Sequence, residues 1–483
     1  MPKDKEISPS GDDQPEIFED QFEGKIWYVI VLACVAAIGG FLFGYDSGVI
    51  NGTVQAIQKA FGTHSTGTGF NVASILIGCA IGALIAGGCA DKYGRKPTML
   101  ITALAFLISA LGSGAANNSV VFSISRILGG FAVGAASVIS PAYIAEIAPK
   151  HIRGGLGSLQ QLAIVLGIFM AFLSNYLIAK VAGNAEQPWL FGYEAWRWMF
   201  WMEGVPSLAF FVGSLFIPES PRHLVAKGHH QRAHLIFMKT RGGNVQKLIK
   251  QITKSLHGDR PPRYADLISI KSGRLYPIVV IGIVLSFFQQ FVGINVVIYY
   301  GAYLWEAAGF TEAQALQTNL LSGAVNVSAT IVAILLIDKI GRKPLLAIGS
   351  VGMFVNLAIL TTIFSLAHLD EHGQLMLSRN QAIVGLTVIN LYVFFFGVSW
   401  GPVVWVLLGE MFPNKIRAAA IAVGASAQWI ANFIVTFTFP PLLAAIGLSG
   451  SYSLYTIFSL ASLFFVVIWV RETKGKQLEE MEM

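Results

Sequence analysis

The sequence predicts an all-α membrane protein: twelve transmembrane helices in two pseudo-symmetric six-helix bundles, with amphipathic helices on one membrane face. Three observations carry that expectation. Only 12% of the 483 residues are charged and 54% are hydrophobic, whereas a soluble domain carries about 25% charged residues. Apolar stretches long enough to cross a hydrocarbon core of about 30 Å recur along the chain. Two charged signatures occur once in each half. The 50 glycines agree, because membrane helices use Gly to bring backbones close.

The chain opens with a polar, acidic tail over 1–25 that lacks the apolar core of a signal peptide. Spans follow at 26–50, 70–90, 97–115, 119–146, 156–181 and 195–217, making a first bundle over 26–218. Residues 219–273 form the one long polar segment. Its apolar positions, from Ala233 to Met238 and then Val245, Leu248, Ile249 and Ile252, predict short amphipathic helices on the membrane surface. A second bundle over 274–470 holds spans at 274–306, 312–337, 344–367, 379–410, 416–445 and 450–470, and 471–483 is a short tail.

An even number of spans puts both ends on one face. That face, with the long polar segment, holds 28 of the 33 Lys and Arg residues, so the positive-inside rule makes it cytoplasmic. The net charge of +6 is scattered over short connectors, which excludes a nucleic-acid-binding face. Cys34, Cys79 and Cys89 all fall in apolar spans and give no disulfide framework. No phosphate-binding Gly-rich loop is present, so ATP is not the energy source. The nine histidines lie outside the spans; His229, His230 and His234 have helical metal spacing but read as solvated surface residues, so neither metal nor cofactor is expected.

The halves repeat each other. Asp91-Lys-Tyr-Gly-Arg95-Lys-Pro97 recurs as Asp338-Lys-Ile-Gly-Arg342-Lys-Pro344, and Glu146-Ile-Ala-Pro149-Lys-His-Ile-Arg153 as Glu410-Met-Phe-Pro413-Asn-Lys-Ile-Arg417. Matched halves place any binding site on the axis between them. Their duplicated charges, with Glu219 and Arg222, predict a network that locks the cytoplasmic side.

Polar residues inside the spans mark the candidate site. Asp46 lies within the first span, where a carboxylate costs about 2.5–3.5 kcal/mol and is a functional hypothesis by default. Arg126 in the fourth span is its natural partner, and Glu203 in the sixth is a third buried ionisable group. A cation shared between two carboxylates makes a proton switch, in which protonation of Asp46 frees Arg126 to lean on Glu203. Gly40, Gly44, Gly48 and Gly52 form a close-packing stripe, and Asp46 points away from it, towards a central cavity. The eleventh span carries Gly424, Gln428, Asn432 and Thr436 at four-residue spacing, with Trp429 beside them. The seventh carries Gln289, Gln290 and Asn295 around Gly293, where local unwinding can aim amides inward. Asn326 on the eighth span and Gln161 on the fifth extend the set. Neutral amides suit a polyhydroxyl ligand, since each donates and accepts without a charge to desolvate. Trp400 is expected to offer an aromatic face, and Tyr299 and Tyr300 an outer gate.

These motifs, with Pro218-Glu-Ser-Pro-Arg222 closing the first half, resemble the sugar porter family of the major facilitator superfamily from about Gly39 to Leu478. One departure is Arg471, which stands where that family usually has proline before Glu-Thr-Lys-Gly. The resemblance implies a proton-coupled monosaccharide symporter, not an enzyme, with monosaccharide, proton and lipid bilayer as partners and a single chain as the working unit. It places Gln161, Gln289, Gln290, Asn295, Asn326, Trp400 and Gln428 on sugar-contacting positions, with Trp429 and Asn432 beside them. A hexose such as glucose is favoured over a pentose. The alternatives are a facilitative sugar uniporter, in which Asp46 is structural, and a non-transporting sugar sensor, against which the short final tail argues.

Overall fold

With no water in the hydrocarbon core, a spanning segment must satisfy its own backbone, and the sequence does so with helices. The computed structural model describes residues 25–149, 152–241, 244–256, 264–268, 273–369, 375–413 and 416–474. Among these, 11 helices are long and apolar enough to cross a membrane. The last, Arg417–Trp469, has 53 residues and leaves helical geometry at Gly447, with φ 68° and ψ −176°. It therefore crosses twice, over 417–446 and 448–469, so the twelve expected spans are all present.

Three spans are broken, and polar side chains gather at the breaks. The sixth divides into Ala195–Trp201 and Gly204–Phe216, with Glu203 at the joint. The seventh divides into Pro277–Phe291 and Ile294–Ala307 at Gly293, whose φ of 92° favours glycine. The tenth divides into Arg379–Val398 and Trp400–Met411 at Ser399.

Within the first half, the glycine stripe of Ile26–Val49 lies on the fifth span, Arg153–Ala182. A Cβ at Gly44 would run into the Ile164 carbonyl, and Gly48 faces Ile168 and Ala171 in the same way. Between the halves, Gly69 of the second span (Ser65–Tyr93) approaches the Phe437 carbonyl of the eleventh. Gly323 of the eighth span (Glu312–Ile340) meets Phe169 and Phe172 of the fifth.

The long polar segment folds as expected into short helices, Pro221–Ala226, His230–Thr240 and Val245–Leu256. They share a small apolar core of Leu224, Val225, Ala233, Phe237 and Val245. They dock on the first half: Lys25 N donates to Lys239 O at 3.0 Å, and the Arg241 guanidinium donates to the carbonyls of Glu146 and Ala148.

Candidate functional site

Asp46 and Arg126 are both 0% exposed. Arg126 Nη1 donates to Asp46 Oδ1, and Arg126 Nη2 donates to the Asp46 carbonyl at 3.1 Å. The local cause is helical phase. Two residues beyond Gly44, Asp46 lies across the helix from the glycine stripe, facing the fourth span, Ser119–Ile147. Gly129 leaves the room, since a Cβ there would sit 2.9 Å from Asp46 Oδ2. The Phe200 ring lies 5.6 Å from the guanidinium carbon, and Glu203 is 1% exposed. Asp46 Oδ2, Arg126 Nε and Glu203 Oε1 make no hydrogen bond. Buried polar atoms without partners are rare, and a carboxylate oxygen left bare is where a proton can sit. One expectation is corrected here: Asp46 does not open onto a central cavity, because its free face is sealed by the fourth span and its arginine.

A cavity of about 450 Å³ lies between the halves, lined by Phe43, Ser137, Gln160, Gln161 and Ile164 on one side and by Ala333, Pro402 and Trp405 on the other. That volume is typical of small-molecule sites, at about 300–1,000 Å³. Most of its lining comes from the last parts of spans four, eight and ten and the first part of span five. Those helix ends all lie on the face carrying both chain ends, so the cavity belongs to that side. Trp405 is the tenth-span aromatic on its wall. The expectation for Trp400 is corrected: its ring is 0% exposed and its indole N–H donates to Leu346 O and Ser350 Oγ of the ninth span. Ser399, at φ −122° and ψ −88°, breaks the helix just before it and resets which residues face inward.

Three of the expected amides, Gln289, Gln290 and Asn295, form a connected row. Asn295 Nδ2 donates to Gln290 Oε1, and Gln290 Nε2 to Gln289 Oε1 at 3.4 Å. Gln289 Nε2 donates in turn to Trp400 O at 2.8 Å, tying the broken seventh span to the broken tenth. Asn432 Nδ2 donates to Tyr299 Oη at 3.4 Å. Asn326 is 9% exposed beside Gly397, and Gln428 Oε1 is buried without a partner. Phe43, on the cavity wall, touches Trp429, the chain neighbour of Gln428, at 5.8 Å between ring centres. Among the expected amides only Gln161 lines the cavity itself.

On the opposite face the halves are bolted together by residues that sequence reasoning missed. Asn51 Nδ2 donates to Ile298 O at 2.6 Å, and Asn51 Oδ1 accepts from Ala302 N at 3.0 Å and from Asn319 Nδ2 at 2.7 Å. Ala185 N donates to Glu312 Oε1 at 2.8 Å, and Gln317 Nε2 donates to Tyr176 Oη at 3.1 Å. Tyr300 is a strut inside the second half, its hydroxyl donating to Thr436 O at 2.8 Å. The only sequence signal for Asn51 was an amide at the end of an apolar span.

The duplicated charges pair within each half. Arg95 meets Glu146 at 3.0 Å, and Arg342 meets Glu410 at 2.7 Å. Glu219 Oε1 accepts from Arg95 N at 2.8 Å, capping Arg95–Ala115, while Glu472 accepts from Arg342 N at 3.0 Å and Lys343 N at 2.9 Å, capping Arg342–Leu366. Glu472 was not anticipated, because Arg471 breaks the similarity to the Pro218-Glu219 segment. Arg417 Nε donates to Phe412 O at 3.0 Å, and Arg222 is exposed. The side chain of Arg153 lies outside the described residues.

Comparison with known proteins extends this geometry over nearly the whole chain. Residues 32–483 match the family described as "Sugar (and other) transporter". The Synechocystis "Glucose transport protein" is 52% identical over 97% of this chain and all of its own length. The Escherichia coli "D-xylose-proton symporter" is 38% identical over 94% of this chain and 95% of its own. A solved structure of the E. coli xylose transporter in a partially occluded, inward-open conformation is similar over 93% of this chain and 100% of its own, with 37% identity and a TM-score of 0.79.

Proposed function

From membership of the sugar transporter family, to which this chain belongs, we propose that it is a proton-coupled monosaccharide symporter of the membrane, working by alternating access. The observation that carries the reading is the buried Asp46–Arg126 pair with its unpartnered oxygen, set in the same half that supplies Gln161 to the cavity between the halves. The relatives named as glucose and xylose transporters support a sugar as cargo, and the 52% identical one favours a hexose such as glucose.

The steps follow from charge and burial. With Asp46 ionised, Arg126 is held against it. A proton on Asp46 cancels that attraction and releases the guanidinium towards Glu203, the other carboxylate of this buried group. The shift loosens the fourth span relative to the first and sixth, so sugar and proton are carried together. Gln289, Gln290 and Asn295 exchange their mutual hydrogen bonds for sugar hydroxyls, a trade that neutral donors and acceptors make at low cost, and Gln161 adds its amide from the cavity wall. Asn51 and its partners close the outer side while the cavity is open on the face carrying the chain ends. We place that face in the cytoplasm, since it holds 28 of the 33 basic residues. One chain supplies both walls of the cavity, so a monomer suffices.

The test is uptake of labelled glucose into proteoliposomes, with and without an inward proton gradient. Wild-type protein accumulates sugar above equilibrium only with the gradient, whereas Asp46→Asn equilibrates and does not accumulate. Equal uptake with and without the gradient would reduce the protein to a uniporter.

A further inference from the structure

We infer that Gln160, alongside Gln161, is a second fifth-span ligand for the transported sugar, its carboxamide both donating to and accepting from one hydroxyl. The inference rests on the sugar-transport reading above and adds a contact to it. Gln160 lines the cavity between the halves yet is only 8% exposed, and neither its Oε1 nor its Nε2 has a hydrogen-bond partner. The Ser137 hydroxyl, on the same wall, is already satisfied by Gly134 O at 2.7 Å. A buried amide unpaired at both atoms is costly, and an apolar side chain of equal size would fill the space without that cost.

The niche is shaped for the amide. Gly40 of the first span faces it so closely that a Cβ there would fall 2.6–2.9 Å from the amide atoms. The amide therefore lies between a bare stretch of backbone and the cavity, with nowhere else to find partners. A ligand offering donor and acceptor at one atom meets both needs, and a hydroxyl does so. No Asp, Glu, Lys or Arg lines the cavity among the described residues, which fits a neutral polyol better than an ion.

Glucose exchange in proteoliposomes without any gradient, competed by the five monodeoxy-glucoses, tests this on wild type, Gln160→Leu and Gln160→Asn. Gln160→Leu is expected to raise the half-saturating glucose concentration about five- to tenfold, the value of one neutral hydrogen bond. It should also erase discrimination against one deoxy sugar while leaving the others unchanged, with Gln160→Asn intermediate. Thermal stability of Gln160→Leu should be no lower than wild type, since it removes an unpaired buried amide; if that variant does not fold, Gln160→Met takes its place. An unchanged discrimination profile, or a uniform shift across all analogues, overturns the assignment. Absence of exchange by wild-type protein would instead strike the sugar reading, and the assignment falls with it.

Discussion

Asn51 joins the halves on the face opposite the cavity with a neutral side chain whose donor and acceptor are both used across the interface. Losing it removes two ties to the Ile294–Ala307 helix and leaves the buried Asn319 Nδ2 without its Asn51 partner, a cost of about 1–3 kcal/mol. Asn51→Ala should therefore shift the carrier towards its outward-open form about 5- to 150-fold. Cysteine labelling from the outside, at a position lining the outer path, should speed up accordingly; unchanged labelling would mean that Asn51 only packs. The Asp46–Arg126 pair was legible in the sequence because ionisable residues in apolar spans are few and must find each other. Asn51 was not, because an amide at a span end is also what an ordinary helix terminus shows. Trp405 was missed for a different reason: the resemblance was read onto Trp400, whereas the helix that restarts after Ser399 buries Trp400 and turns Trp405 to the cavity.

At the scale of elements, glycine decides how close helices come and where they stop. Gly44→Val would press a branched side chain against the Ile164 backbone and cost about 1–3 kcal/mol by overpacking, read as a lower melting temperature in detergent. The same substitution at Gly88, whose Cβ would meet nothing within 4 Å, should leave stability near wild type. Helix starts carry a second device. Burial pushes the Glu472 carboxyl up, but the N–H groups of Lys474, Arg342, Lys343 and Thr473 outweigh it and hold it below its ordinary value. A carboxyl lowered in the folded state contributes stability that is present above its unfolded value of about 4.3 and lost as pH falls through the lowered one. Glu472→Gln should thus be less stable than wild type at neutral pH, and the gap should close on acidification below about pH 4. A gap independent of pH would remove the carboxylate from the account. The spans themselves were legible because bilayer thickness dictates length, and the repeats because both halves build the same helix ends. The interior break at Gly293 was legible from its glycine. Those near Glu203 and at Ser399 are flanked by Gly204 and Pro206 and by Gly401 and Pro402, which helices in a bilayer also tolerate without breaking, so the sequence alone did not mark them as breaks.

For the whole molecule, the face opposite the cavity is closed by cross-half hydrogen bonds. The ion pairs Arg95–Glu146 and Arg342–Glu410 each lie within one half, so the halves can part there without breaking either pair. Alternating access then needs two states a few kcal/mol apart, biased by a proton on one side and a sugar between. The central claim is that Asp46 couples the two fluxes. It is tested most directly by adding glucose outside proteoliposomes held without a proton gradient and following external pH with a dye. Wild-type protein should draw protons inward with the sugar and turn the outer solution alkaline, while Asp46→Asn moves sugar with no pH change. Alkalinisation by Asp46→Asn equal to wild type would contradict the account.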